Sequence, residues 1–312
     1  MSKEFKSKID TQSESFLKNR AEMLKKIKEM RNLEKRSFNA SESKRKKFED
    51  RNQLTPRERL NALIDPDSEF IELYNMAGFL VEDNNPETSI PGASVIAGIG
   101  FIKGVRCMIM VDDSGINAGA ATSTTVDKCV GCLEISLEKK LPFVHLVESA
   151  GINLMNYKVE IWARAGGMFA GLAKLSAAGV PTITILHGLS TAGGAYNVGM
   201  SDYVIGVKKN GMAALAGPAL LKAATNEVAS NKELGGSEMH ATVSGLVEYL
   251  AEDDSDAIDI ARNVLNALDW NSGFSTIKDN DYVEPKYDIN EIAGIVNLDY
   301  KKPYDSREII LR

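Results

Sequence analysis

Only three cysteines, three histidines and two tryptophans occur among the 312 residues, and each scarcity narrows what the protein can be. Cys107, Cys129 and Cys132 are too few for a disulfide framework. No charged-then-apolar leader opens the chain, so a reducing cytoplasm is the expected compartment. No run of about 18 uncharged apolar residues occurs, which argues against a spanning helix and a membrane role. Cys129 and Cys132 form a C-x-x-C pair without a second pair or a neighbouring histidine to complete a zinc site. They fall inside a helical pattern among apolar residues, so burial is the expected fate and no metal is expected.

What is present suits an ordinary globular protein: 44% hydrophobic and 26% charged residues, enough for one large core or two smaller ones. The net charge of −6 conceals an asymmetry, because the first sixty residues carry about eight more basic than acidic side chains and the remainder is acidic. The cluster Lys44-Arg45-Lys46-Lys47 has no interleaved aromatic platform and no base-reading motif, so nucleic acid is not the expected partner.

From about Glu4 to Leu33 the chain lacks glycine and proline, while Phe16, Leu17, Leu24, Ile27 and Met30 recur near helical spacing, which predicts a helical arm. Ser37 to Gln53 reads as a polar connector. Thr55-Pro56-Arg57-Glu58 then supplies a cap, a first-turn proline and a capping-box acid, with Asp65-Pro66-Asp67-Ser68 as the stop. Strands are predicted at Phe70–Leu73, Ala93–Gly100 and Val105–Val111, the last two joined by a hairpin at Lys103-Gly104. Gly98-Ile99-Gly100 is followed by a strand and not by a helix, so it is no dinucleotide fingerprint.

Beyond Asp112 helices alternate with short apolar strands: helix Thr125–Lys139, strand Phe143–Val147, helix Glu160–Ala178, strand Thr182–His187, strand Tyr203–Val207, then helices at Pro218–Thr225 and Asp254–Leu268. This alternation predicts an α/β class with parallel pairing. No internal repeat stands out. The expected division is an arm and connector over 1–50, a main domain over 51–275 and an irregular segment over 276–312.

Two strand ends carry turns of small residues. Glu148-Ser149-Ala150-Gly151-Ile152-Asn153 follows the first buried strand, and Gly188-Leu189-Ser190-Thr191-Ala192-Gly193-Gly194-Ala195-Tyr196 follows the second. Glycine lets backbone approach a ligand, and amides at a helix start point outward with partial positive charge. Two such turns facing each other would make an oxyanion hole for an enolate formed from a thioester. Packing is the competing reading of either turn alone. Gly188 to Ala192 also nearly matches a nucleophile elbow, lacking only its final glycine. A serine hydrolase built on Ser190 needs a histidine base; His145 and His187 lie in apolar strand patterns, and His240 is equally suited to capping or ligand binding. Glu148 is the best lone candidate for a general acid.

Taken in order, Thr55-Pro56-Arg57-Glu58-Arg59-Leu60, Leu63-Ile64-Asp65-Pro66, Ser149 to Leu154, Ser190 to Tyr196, and the run Ala216-Gly217-Pro218, Lys222-Ala223-Ala224-Thr225, Glu227, Leu234-Gly235-Gly236, His240 and Ser244-Gly245 resemble the carboxyltransferase (beta) subunits of biotin-dependent acyl-CoA carboxylases, N-terminal half only. The Asn153-Leu154 and Lys222 to Thr225 details are nearest the methylcrotonyl-CoA carboxylase branch. The resemblance implies a crotonase-like spiral of ββα units behind a helical arm. It implies a coenzyme A thioester as substrate and biotin carried on a separate protein. The implied partners are a biotin carboxyl carrier or biotin carboxylase subunit and a second carboxyltransferase domain from another chain, in an oligomer.

By the same resemblance the backbone amides of Gly193, Gly194, Ala150 and Gly151 hold the enolate oxygen, while Ser149, Ala192, Ala195, Tyr196, Gly217 and Lys222 line the cofactor site. Two departures stand out: Ala150-Gly151 replaces a glycine pair and is followed by Ile152, expected to narrow the acyl pocket, and Glu49-Asp50-Arg51-Asn52 replaces a histidine-containing approach to the Thr55 helix. No Met-Lys-Met biotinylation context occurs. The alternatives are a standalone crotonase-like thioester hydrolase or decarboxylase, and a non-catalytic CoA-binding assembly subunit. The acyl group is not named by the sequence, since one methylene changes binding by only about 1–3 kcal/mol.

Overall fold

Residues 5–152, 158–273 and 284–312 are described in a computed structural model of the chain, which separates into two compact units: 1–35 with 275–312, and 36–274. Helix α1 (Glu14–Glu42) begins well after Glu4, where the arm was expected to start. Asp10 Oδ1 accepts from Gln12 N at 2.9 Å and Ser13 Oγ donates to Asp10 O at 2.8 Å, a local turn that competes with the helix. In the first unit Phe16 packs against Gly294, where a side chain would not fit. Asn19 Nδ2 donates to the carbonyls of Gly294 and Val296 at 3.0 and 2.9 Å. The buried Glu308 carboxylate accepts from Ser7 Oγ, Lys8 N and Arg312 Nη1 at 2.6, 3.0 and 2.9 Å.

The polar segment Ser37 to Gln53 is helical over most of its length. α1 continues to Glu42 and a short helix α2 (Arg45–Glu49) follows. Tertiary contacts override the polar composition: Ser41 Oγ donates to the buried Asp113 at 2.7 Å, and Phe48 is buried with the Arg59 guanidinium 5.8 Å from its ring.

The rest of the second unit runs α3 (Pro56–Leu63), β1 (Ile71–Glu72), β2 (Val95–Ile102), β3 (Val105–Asp112), α4 (Ser123–Lys139), β4 (Phe143–Val147), α5 (Val159–Ala177), β5 (Thr182–Leu186), β6 (Leu189–Thr191), α6 (Gly193–Gly199), β7 (Tyr203–Val207), β8 (Met212–Ala214), α7 (Pro218–Thr225), α8 (Asn231–Gly235), α9 (Ser237–Met239), β9 (Tyr249–Ala251) and α10 (Asp254–Ala267). The capping box at Thr55 forms, with both Thr55 N and Oγ1 donating to Glu58 Oε2 at 2.9 Å. The hairpin turns at Lys103-Gly104, both at positive φ. Asp65, at the end of α3, ties it down by accepting from both amides at 2.8 and 2.7 Å. Gly98 is explained by packing: a Cβ there would collide with the Ile71 carbonyl on β1.

Seven strands form one sheet in the order β1-β2-β3-β4-β5-β7-β9, antiparallel across β1 to β3 and parallel from β3 onward. Every residue of β4 and β5 is buried, as expected of parallel strands covered on both faces. Side chains alternate: Val144, Leu146, Ile183 and Ile185 pack with Leu60 and Leu63 of α3 and with Ala257, Ile258 and Leu265 of α10. Phe143 on β4 packs instead with Cys132 and Leu133 of α4 and Leu172 and Leu175 of α5.

A repeat is present that the residues alone did not reveal. β5–β6–α6 and β7–β8–α7 are successive ββα units, each placing its first strand in the large sheet and its second in the parallel pair β6-β8. The second strands have three residues each, too few to leave a pattern. Among the described residues no helix is long and apolar enough to cross a membrane.

Candidate active site

β4 and β5 are parallel neighbours in register, so the chain leaves both at the same edge of the sheet, and the two small-residue turns meet there. Thr191 N donates to Ser149 O at 3.1 Å and Thr191 Oγ1 to Ala150 O at 3.0 Å. Gly151 sits at φ +79°, and a Cβ on it would lie 3.0 Å from Thr191 O. A Cβ on Gly194 would lie 3.3 Å from Ser149 Cβ. Gly151 is therefore required by close approach and by its left-handed backbone, while a side chain at Gly194 would press on Ser149.

A third turn, missed in the sequence, supports the first. Asn117, Ala118 and Gly119 are all at positive φ. Ala150 N donates to Ala118 O at 3.2 Å, Ser149 Oγ to Gly119 O at 2.8 Å, and Ala121 N to Gly151 O at 2.8 Å. The run Gly115-Ile116-Asn117-Ala118-Gly119-Ala120-Ala121 was the available signal, being another stretch of small residues after a strand. Asn153 and Leu154, read as the end of the first turn, lie outside the described residues.

The amides divide into two groups. Those of Ala150 and Gly151 are engaged, the latter donating to Ser149 Oγ at 3.1 Å. Ala192 N donates to Ala214 O at 3.1 Å. Among the described residues nothing accepts from Gly193 N or Gly194 N, the first two residues of α6. Ala192, just before them, has φ 51° and ψ −115°, a conformation glycine adopts readily and alanine does not.

Both free amides belong to residues that line a cavity of about 280 Å³. Ser149, Ala150, Gly151, Ala192 and Gly217 line it as well, with Ile152 in the wall. Trp162, Ala165, Met168 and Phe169 of α5, Val126 of α4 and Leu220 of α7 make the enclosure mostly apolar. Three predicted binding residues lie elsewhere. Ala195 lines a neighbouring groove with His240. Tyr196 is half exposed, its ring 5.0 Å from that of Phe169, and Lys222 is exposed on α7 outside the cavity lining.

The candidate acids and bases are committed to partners. Glu148 is buried and accepts from Arg59 Nη1 at 2.6 Å, with Arg51 Nη1 at 3.6 Å, and it is not among the residues lining the cavity. His187 Nδ1 bonds Asp254 Oδ1 at 2.7 Å and His145 Nε2 bonds Asp112 Oδ1 at 3.1 Å. Burial, aided by Arg59, lowers the His187 pKa and keeps the imidazole neutral. His240 Nε2 is 2.8 Å from Ala213 O and Nδ1 2.8 Å from Ser244 Oγ. Ser190 is completely buried and its hydroxyl has no partner among the described residues, the opposite of an exposed elbow nucleophile. Burial raises the thiols of Cys129 and Cys132, the latter to about 11, so both are inert core residues.

The family model described as the carboxyl transferase domain matches residues 47–312. The chain belongs to this family. A probable biotin-dependent acyl-coenzyme A carboxylase beta2 subunit of Mycobacterium tuberculosis is 44% identical over 266 residues, covering 84% of this chain and 48% of that protein. The mitochondrial methylcrotonoyl-CoA carboxylase beta chain of Arabidopsis thaliana is 37% identical over 313 residues, covering 97% and 52%. The crystal structure of the P. aeruginosa geranyl-CoA carboxylase beta subunit superposes with a TM-score of 0.89 at 43% identity, covering 99% of this chain and 57% of that one. The chain thus spans about half the length of the curated relatives it matches. Carboxyl transferase domains of this kind have the crotonase-like fold, and the ββα units described above are its repeating element.

Proposed function

We propose that residues 51–275 are the acyl-CoA-binding domain of a biotin-dependent acyl-CoA carboxyltransferase, and that Gly193 N and Gly194 N stabilise the thioester enolate. The observation that carries this reading is the pair of unaccepted amides beside an apolar cavity in a carboxyl transferase domain. Such donors act most strongly where water is excluded and charge develops. Ala150 and Gly151 serve by shape, since their amides are spent on Ala118 and Ser149.

The acyl group fits an apolar class. Val126, Ala165, Met168 and Phe169 wall the cavity, and two of the relatives are named for methylcrotonoyl-CoA and geranyl-CoA. Carboxybiotin, brought on a separate carrier protein, supplies the carboxyl group and the proton acceptor. That fits the donor set here, because Glu148, His145 and His187 are tied to Arg59, Asp112 and Asp254. This chain's part is to hold the thioester, exclude water around its oxygen and keep that oxygen against the amides. The second carboxyltransferase domain, the biotin carboxylase partner, an oligomeric assembly and a cytoplasmic setting belong to the same proposal.

Thermal unfolding with a panel of CoA esters tests it. A bound ester raises stability by about 2.7 kcal/mol at a hundred times its Kd, and esters with apolar acyl groups should outperform free CoA. Absence of any shift at saturating ester refutes the reading.

A further inference from the structure

Arg59, from the Thr55-to-Leu60 signature, is almost wholly enclosed, with a side chain 1% exposed, and its guanidinium reaches two carboxylates. Nη1 donates to Glu148 Oε2 at 2.6 Å and Nε to Asp254 Oδ2 at 2.9 Å. Glu148 is the residue before Ser149 and so the root of the first turn. Asp254 bonds His187 Nδ1 at 2.7 Å, and His187 is the residue before Gly188, the root of the second. Gln53 Nε2 fixes the same point by donating to His187 O at 2.7 Å. Gly188 lacks the Cβ that would collide with the Glu148 side chain, so the two roots touch.

Burying an ion cluster this deeply carries a desolvation penalty that its attraction rarely exceeds by much, and apolar residues of equal size would serve stability as well. The cluster is better explained by geometry. One arm from Arg59 ends on Glu148, where the first turn begins, and the other ends on Asp254, which holds His187, the residue before the second turn. We propose that Arg59 is a positioning residue that sets the separation of the two turns and thereby aims the Gly193 and Gly194 amides at the thioester oxygen. This rests on the oxyanion-hole reading above. Charge on Arg59 and Asp254 is secure: burial opposes ionisation of both groups, but Glu148 and Asp254 more than offset it at Arg59, and His187 and Arg59 do so at Asp254, which stays well below the usual carboxylate range.

The test is infrared difference spectroscopy of crotonyl-CoA, isotopically labelled at the thioester carbonyl, bound to the full chain. Calorimetry supplies its Kd. In the wild type the carbonyl stretch moves to lower wavenumber. Glu148→Gln and Asp254→Asn, each matched in volume, should lose at least roughly half of that displacement while Kd stays within about threefold, because the donors persist but are misaimed. Where a single variant does not unfold cooperatively, the combined Arg59→Met, Glu148→Gln and Asp254→Asn variant takes its place, since removing the whole cluster leaves no uncompensated buried charge. A displacement equal to wild type in any cooperatively folding variant overturns the positioning role. Absence of binding or of displacement in the wild type overturns the oxyanion reading itself.

Discussion

Gly151 faces Thr191 so closely that a methyl group on it would sit 3.0 Å from the Thr191 carbonyl oxygen. This contact joins the two turns, and it is made at φ +79°. Gly151→Val should therefore destabilise the domain by about 1–2 kcal/mol from backbone strain alone, more with the clash, and should weaken acyl-CoA binding in the same variant. Urea unfolding and calorimetry with one ester measure the two effects.

Gly193 and Gly194 should respond differently to substitution. A Cβ at Gly193 meets nothing within 4 Å, whereas one at Gly194 lies 3.3 Å from Ser149 Cβ. Gly193→Ala should leave stability unchanged or raise it by up to about 1 kcal/mol through helix propensity, read from the melting temperature. Gly194→Val should push α6 away from the first turn and reduce carboxylation in a reconstituted complex by about 10²–10³-fold, the usual effect of losing an oxyanion donor.

Ser190→Ala separates carboxyl transfer from serine hydrolysis. The hydroxyl is buried without a partner among the described residues, a situation that costs about 1–3 kcal/mol. The variant should fold at least as stably as wild type and leave turnover of any CoA ester intact. Loss of an acyl-CoA hydrolase activity on this substitution would instead reinstate the elbow.

Stability should fall on mild acidification through His187. Its folded pKa is depressed below 6.5, first by burial and then by Arg59, so the unfolded chain takes up a proton that the folded chain refuses. The contribution is complete above the unfolded value and is lost as pH drops below it, with a slope of up to about 1.4 kcal/mol per pH unit until the folded group titrates. Unfolding free energies between about pH 5 and 7.5 should show this slope, and His187→Asn should flatten it. An unchanged slope in that variant would assign the effect to another group.

Much of the fold was legible because its long elements obey strong local rules. Phe143–Val147, Tyr203–Val207 and Pro218–Thr225 match their predicted bounds. The capping box at Thr55 and the turn at Lys103-Gly104 follow from residues only a few positions apart. The failures need distant partners. Most of Ser37 to Glu49 is helical because Ser41 finds Asp113 and Phe48 finds a buried place under Arg59, contacts that no local composition announces. β6 and β8 are three residues long and pair with each other outside the large sheet, so the ββα repeat left no periodic trace. The two glycine turns could be named in the sequence. Which of their amides are spent depended partly on Ala118 and Ala214, the former in a turn that small residues hinted at but did not identify.

The donor pair at Gly193 and Gly194 has a last consequence. A peptide N–H neither gains nor loses a proton in ordinary buffers, so its pull on a thioester oxygen is constant from mildly acidic to mildly alkaline solution. In the proposed reaction, any bell-shaped dependence of rate on acidity would accordingly originate in groups other than these two amides, which are the part of the site whose own charge acidity does not tune.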